Sequence, residues 1–414
     1  MHKPISEIKD RDRTGISPVE GAEEKVGASL IIQPSVWGKS DRQIKHFFVF
    51  LEILSLEGGI QSYVKDIWRA YAAIGHPQIA RIFLLRDRPV SNNPFASEHL
   101  KFHYFKSWHP MLGRIRLSVG LFIYLWWERP DRVFCGHIYL APLVKALCQL
   151  LQIPYTILTY GKEVWEPLPP RYQKALQQAS AIWTISRYSR SRLCESNAID
   201  PKRVEILPCC VNGEAFTPGP KPPALLDRYH LADAKVLMTV ARLWSGDIYK
   251  GVDVTIRALP AISQKFPNVK YLVIGRGDDQ PRLAKLAKDL GVADRVVFAG
   301  FVPTEDLAEH YRVADAYIMP SQEGFGIVYL EAMACGIPVL SGDADGSADP
   351  LQDGRLGWRV PHRSPEAVAA ACIEILQGND QRCDRQWLRQ ESLAQFGREA
   401  LSRQLKQLLE KSEE

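Results

Sequence analysis

Four prolines in seven residues, Thr217-Pro218-Gly219-Pro220-Lys221-Pro222-Pro223, cut this chain into two blocks that follow one grammar. Proline locks its own φ and gives up an amide donor, so a run this dense reads as a linker. Before it, apolar runs at His46–Leu51, Ala80–Leu85, Arg132–His137, Tyr155–Tyr160, Ala181–Ser186 and Val204–Pro208 alternate with helical periodicity. After it, the alternation restarts with Val236–Val240, Tyr271–Ile274, Val296–Phe298, Ala316–Met319 and a run from Val339. Runs apolar on both faces suit buried parallel strands. Two such blocks predict two α/β domains, each a doubly wound parallel sheet, with a ligand cleft between them. The expected boundaries are a polar tail over 1–40, a first domain over 41–216, a second over 217–385 and a C-terminal helix over 386–414.

The 414 residues suffice for two domains, and 46% hydrophobic with 24% charged residues is a globular composition. A net charge of +5 is too mild to argue for nucleic acid, but it suits an anionic substrate or an anionic membrane surface. The eight cysteines form no C-x-x-C pair and no metal-ligand spacing, so a reducing, cytoplasmic setting is expected. No secretory leader is read, and no apolar run reaches the ~18–20 residues of a membrane helix. Residues 108–129 combine Arg114 and Arg116 with the apolar run Leu121–Trp127. That segment reads as a core-facing helix by default, or as a basic amphipathic helix on the cytoplasmic face of a membrane.

The chemistry concentrates in Pro320–Val339. A strand there runs into Glu323-Gly324-Phe325-Gly326, then a helix carrying Glu331, which is expected about two turns in. Glycines admit a ligand close to the backbone, and a helix start offers free amides to an anion. Arg242 follows a strand directly, and Lys250 stands in the next loop. A guanidinium fork and a point charge together fit a diphosphate. Gly58-Gly59 between a strand and a helix is a second anion-friendly turn, and His137 ends another strand. Gly275-Arg276-Gly277 supplies only part of a dinucleotide fingerprint, since Gln280 takes the last glycine's place. Asp343-Ala344-Asp345 imitates a metal-binding D-x-D but reads as a plain turn.

Together these residues resemble the retaining glycosyltransferases of family 4, which have the GT-B fold of two Rossmann-like domains. The likeness covers roughly residues 45–400. It is carried by Glu323-Gly-Phe-Gly-Ile-Val-Tyr-Leu-Glu331 with Ala332–Val339, by Val240-Ala241-Arg242-Leu243 with Lys250-Gly251, by Gly300-Phe301-Val302, and by Gly354-Arg355-Leu356-Gly357. The resemblance implies that the second domain binds a nucleoside-diphosphate sugar. Arg242 and Lys250 would hold the diphosphate, Glu331 the ribose, and the backbone at Phe301–Val302 the base. Glu323 with Gly324, Phe325 and Gly326 would meet sugar and phosphates. In the acceptor domain it implies Gly59 over the diphosphate, His137 facing the transferred sugar, and Gln61, Tyr160 and Glu163 toward the acceptor. It also implies no metal and no cofactor, and a C-terminal helix that crosses back to the first domain. Three departures stand out: Tyr160-Gly161 where His-Gly is frequent, Pro208–Asn212 reading Pro-Cys-Cys-Val-Asn, and Asp345–Asp349 in place of a Gly-Gly-x-x-Glu pattern.

The activity implied is hexose transfer to an acceptor hydroxyl with retained configuration, in polysaccharide or glycolipid synthesis. The acceptor would be a carbohydrate, a glycolipid or a lipid-linked molecule. Epimerisation, hydrolysis or plain binding of a nucleotide sugar uses the same charged set and stays open.

Overall fold

The structure is a computed structural model that describes residues 43–75 and 78–411. The expected tail over 1–40 lies outside the described residues. In chain order the strands are β1 (Ile44–Phe50), β2 (Gln78–Leu84), β3 (Leu100–Tyr104), β4 (Arg132–Cys135), β5 (Tyr155–Leu158), β6 (Ala181–Thr184), β7 (Val204–Ile206), β8 (Lys235–Val240), β9 (Val269–Ile274), β10 (Val296–Gly300), β11 (Ala316–Met319), β12 (Val339–Gly342) and β13 (Trp358–Val360). They form a seven-stranded sheet in the order 3-2-1-4-5-6-7 and a six-stranded sheet in the order 10-9-8-11-12-13. The pairings within both sheets are parallel.

β1 shows why the apolar runs fold this way. Phe47, Phe48, Val49 and Phe50 alternate between the two sheet faces and all are buried, as parallel sheets covered by helices on both sides require. β3 and β13 do not stand out as apolar runs in the sequence. Both are short edge strands, and β3 is mostly half-exposed.

Each sheet reverses its strand order once, between β1 and β4 and between β8 and β11. Such points open a crevice at the carboxyl ends of the strands. The helix Gly59–Ile74 leaves the first crevice, and Tyr63, Val64, Ile67, Trp68 and Tyr71 anchor it in the core. The helix Ile327–Ala334 leaves the second and is buried on most sides. Gly326, at φ 89°, holds the left-handed conformation that delays this helix to Ile327. Glu331 therefore stands little more than one turn in, nearer the loop than the two turns expected.

The chain returns at its end. The helix Arg398–Lys411 packs on the helix Gly59–Ile74 through buried Leu401, Leu405 and Leu409. Arg389 pins the passage by donating to the carbonyls of Phe216 and Gly213, both at 2.6 Å. One apolar cluster consequently runs from Phe48 of the first sheet through Val211 and Phe216 to Tyr317 of the second and on to Leu405.

Candidate active site

The two crevices bring the sequence motifs together. Gly58 from the first sheet and Glu331 from the second line one cavity of about 410 Å³, with Ser62, Asp66, Thr304 and Ile327. Glu331 accepts a hydrogen bond from the Tyr311 hydroxyl at 2.8 Å. Burial pushes its pKa up to about 7, against the lowering effect of that bond. Such a carboxylate is primed for further donors, and a ribose diol supplies two. Further along the same edge, the Arg276 guanidinium lies 4.8 Å over the exposed Phe301 ring, beside buried Val302.

Lys250 pairs with Glu323 across the mouth of the second crevice. Arg242 is mostly exposed and is held from behind by buried Asp247, at 2.7 Å. Between them, the amides of Gly324, Phe325 and Gly326 donate to no acceptor among the described residues. The loop thus offers three amides without an acceptor among the described residues, close to two cations held by carboxylates, an arrangement that can take up an anion.

The loop is shaped by residues on both sheets. The Asp345 carboxylate accepts from the Glu323 amide at 2.6 Å and from the Ser347 amide at 2.9 Å, and Gly346 N–H donates back to Glu323 O at 2.8 Å. A Cβ at Gly346 would meet Gly324 O at 2.0 Å, so the two loops touch backbone to backbone. From the first sheet, Ser186 Oγ and Ser189 Oγ donate to Gly324 O at 2.6 and 3.4 Å. Asp345 therefore orients Glu323. Among the described residues no three His, Cys, Asp or Glu side chains stand together in a metal-holding group.

His137 is half-buried at the end of β4. Its Nδ1 accepts from the Tyr139 amide at 3.1 Å, which leaves the ring proton on Nε2. Burial, then the charge of Arg86, lowers its pKa to about 4. It is a neutral donor at pH 7.

Lys162 is a residue that the sequence reading passed over. It lies in the turn after β5, yet its ammonium sits 3.0 Å from the Tyr249 ring centroid, next to Lys250. It feels the charges of Glu323, Asp247, Lys250 and Arg242. A lysine directly beyond a strand's carboxyl end was the available signal.

Three expected acceptor residues are otherwise engaged. Tyr160 is buried, and its hydroxyl donates to Gly136 O at 2.9 Å, steadying the residue before His137. Glu163 accepts from the Tyr160 amide within its own turn. Gln61 donates to Glu52 O at 3.2 Å. Gly275 and Gly277 are packing glycines: a Cβ would fall 1.8 Å from Ala241 O or 1.9 Å from Leu243 O.

This two-sheet arrangement with its cleft is the GT-B fold of glycosyltransferases. Residues 234–378 match the family model Glycosyl transferases group 1. Among curated relatives, a GDP-mannose-dependent alpha-(1-6)-phosphatidylinositol monomannoside mannosyltransferase of Mycolicibacterium smegmatis is 36% identical over 232 residues, 53% of this chain and 59% of that protein. A D-inositol 3-phosphate glycosyltransferase of Mycobacteroides abscessus is 34% identical over 210 residues, 49% of this chain and 46% of that protein. The matches thus span about half to three-fifths of those relatives' length. Among solved structures, Anabaena Alr3699/HepE in complex with UDP superposes with a TM-score of 0.72 at 18% identity, covering 89% of this chain and 100% of that one. Sucrose-phosphate synthase from Thermosynechococcus elongatus gives 0.68 at 21% identity, covering 89% and 98%.

Proposed function

We propose that this chain transfers a hexose from a nucleoside-diphosphate sugar to a hydroxyl of a glycolipid or lipid-linked acceptor, with retained anomeric configuration and without a metal. The observation that carries this reading is the glycine loop itself: its amides have no acceptor among the described residues, it bears Glu323 with its partner Lys250, and Ser186 of the other sheet holds it at Gly324 O. The relatives' names, which speak of GDP-mannose and phosphatidylinositol mannoside, support a glycolipid acceptor and make GDP-mannose the first donor to try.

As the glycosidic bond breaks, negative charge grows on the leaving diphosphate. Arg242, Lys250, Lys162 and the amides of Gly324–Gly326 would receive it. Glu331 takes the ribose hydroxyls, and the Phe301–Val302 edge takes the base. His137 donates through Nε2 to a sugar hydroxyl, and Glu323, oriented by Asp345 and Lys250, accepts from another. The acceptor hydroxyl then attacks on the face the diphosphate leaves, handing its proton to the departing phosphate.

The test is release of nucleoside diphosphate from a panel of nucleotide sugars, with and without lipid acceptor, and with a chelator. The reading requires acceptor-dependent release that survives the chelator and is lost in Lys250→Ala. Equal consumption of donor without acceptor would move the assignment to hydrolysis or epimerisation.

A further inference from the structure

The helix Pro110–Glu128 is apolar on two opposite sides. Leu117, Leu121 and Leu125 are buried against the first sheet. On the far side, Ile115, Val119, Ile123 and Trp126 recur at three- and four-residue spacing, each more than half exposed. Trp108 at 88% and Trp127 at 83% exposure extend this face at its two ends. A helix that is hydrophobic all round belongs in a core or against an apolar phase, and among the described residues this one has protein on one side only. No helix among the described residues is long and apolar enough to cross a membrane; this one is placed to lie flat.

The charge around the face is of one sign. From Lys101 to Trp127 the chain carries Lys101, Lys106, Arg114 and Arg116 and no Asp or Glu. Glu128, just beyond, is paired with Arg81. Tryptophans at the rim with basic neighbours suit the headgroup layer of an anionic bilayer.

A cavity of about 560 Å³ opens beside this helix, lined by Arg86, Arg114 and Arg171 with Tyr139 and Tyr172, and among the described residues by no acidic one. Three guanidinium groups around one cavity match the oxygens of a phosphate. The cavity is joined to His137 by a chain of tilted rings. His137 and Tyr139 have centroids 4.9 Å apart, Tyr139 and Tyr172 5.7 Å, and the Arg171 guanidinium lies 4.6 Å over Tyr172.

We propose that this arginine-lined cavity binds the phosphate of an anionic membrane lipid while the outer face of the helix Pro110–Glu128 lies in the bilayer surface, and that this lipid is the acceptor. The acceptor role rests on the transfer reading above; the docking does not. The phosphate seat lies beside the ring chain that ends at His137, so a headgroup held there can present a hydroxyl toward the sugar.

The test uses the full chain with vesicles of phosphatidylcholine alone or of phosphatidylcholine with phosphatidylinositol, and with soluble glycerol phosphate as competitor. Expected are binding at least about tenfold tighter to the anionic vesicles and a blue shift of tryptophan fluorescence. Trp126→Ser with Trp127→Ser loses vesicle binding, and Arg86→Gln with Arg171→Gln loses the preference for anionic lipid, both with melting temperatures retained. Equal binding to both vesicles, an unchanged preference in the arginine variant, or complete displacement by glycerol phosphate overturns the proposal. With GDP-mannose added, nucleoside diphosphate release is read in the same samples. Binding without release sinks the transfer reading and leaves the docking site standing; release without binding sinks the docking alone.

Discussion

The Tyr311 hydroxyl donates to Glu331 at 2.8 Å at the wall of the cavity shared by the two sheets. The tyrosine satisfies one lone pair of a carboxyl whose pKa burial raises from 4.5 to about 7. Between those two values the folded chain keeps a proton that the unfolded chain releases, so this group's contribution to stability falls as pH rises through the window. A nucleotide whose ribose hydroxyls donate to the carboxylate must expel that proton. Affinity for nucleoside diphosphate is therefore expected to rise about tenfold from pH 6 to pH 8. Glu331→Gln should bind more weakly at pH 8 and show a flat profile, both readable by calorimetry. A wild-type profile that is flat would remove Glu331 from the ribose.

Asp345 holds the Glu323 amide at 2.6 Å, and burial lifts its own carboxyl to about 6. Asp345→Asn can keep only part of this bonding, and Asp345→Ala leaves the Glu323 amide without its acceptor. Loss of such a buried acceptor costs about 1–3 kcal/mol. The expected outcome is a fall in kcat of about tenfold or more in the alanine variant, with a smaller change in nucleotide affinity and partial recovery in the asparagine variant. Equal losses in both constants would mark Asp345 as a general support of the fold.

Lys162 reaches the Tyr249–Lys250 corner from the other sheet. Removing one preorganised donor to a transition-state charge typically costs about a hundredfold in kcat. Lys162→Met should show a loss of that size with thermal stability retained, since the side chain is exposed, and Lys162→Arg should recover part of it. A kcat within about threefold of wild type would place Lys162 outside the diphosphate site.

Leu405 is fully buried where the last helix meets the helix Gly59–Ile74. Leu405→Ala should destabilise by about 2–5 kcal/mol, the range for a core leucine. Denaturant melts check this, and the lost stability should appear as a lower midpoint with nucleotide affinity less affected. A shift under about 0.5 kcal/mol would show the contact to be loose.

Much of the architecture was legible because parallel strands buried on both faces leave uninterrupted apolar runs such as Phe47–Phe50. β3 and β13 were not, because edge strands need no such run. That Glu323 and Glu331 flank one loop and helix start was legible through their spacing around the glycines. What escaped was whatever depends on the two sheets meeting. Lys162 precedes Lys250 by a long stretch of chain, and nothing local says they share a corner. Tyr160 and Glu163 show the reverse case. Their position beyond β5 pointed toward ligand, whereas a buried hydroxyl and a carboxyl near free amides found backbone partners first.

The two seryl hydroxyls on Gly324 O have a kinetic meaning. They tie the two sheets together: the carbonyl they hold belongs to the same loop whose amides would grip the donor, so any opening of the cleft that admits or frees a nucleotide is expected to break these bonds. On the transfer reading proposed above, such an opening would occur once per turnover, and a slow one would cap kcat. Ser186→Ala should loosen the tie. Product release then quickens while water gains access to the activated sugar, and the ratio of hydrolysis to transfer rises. A ratio unchanged from wild type would show that the serines merely decorate a cleft held shut by something else.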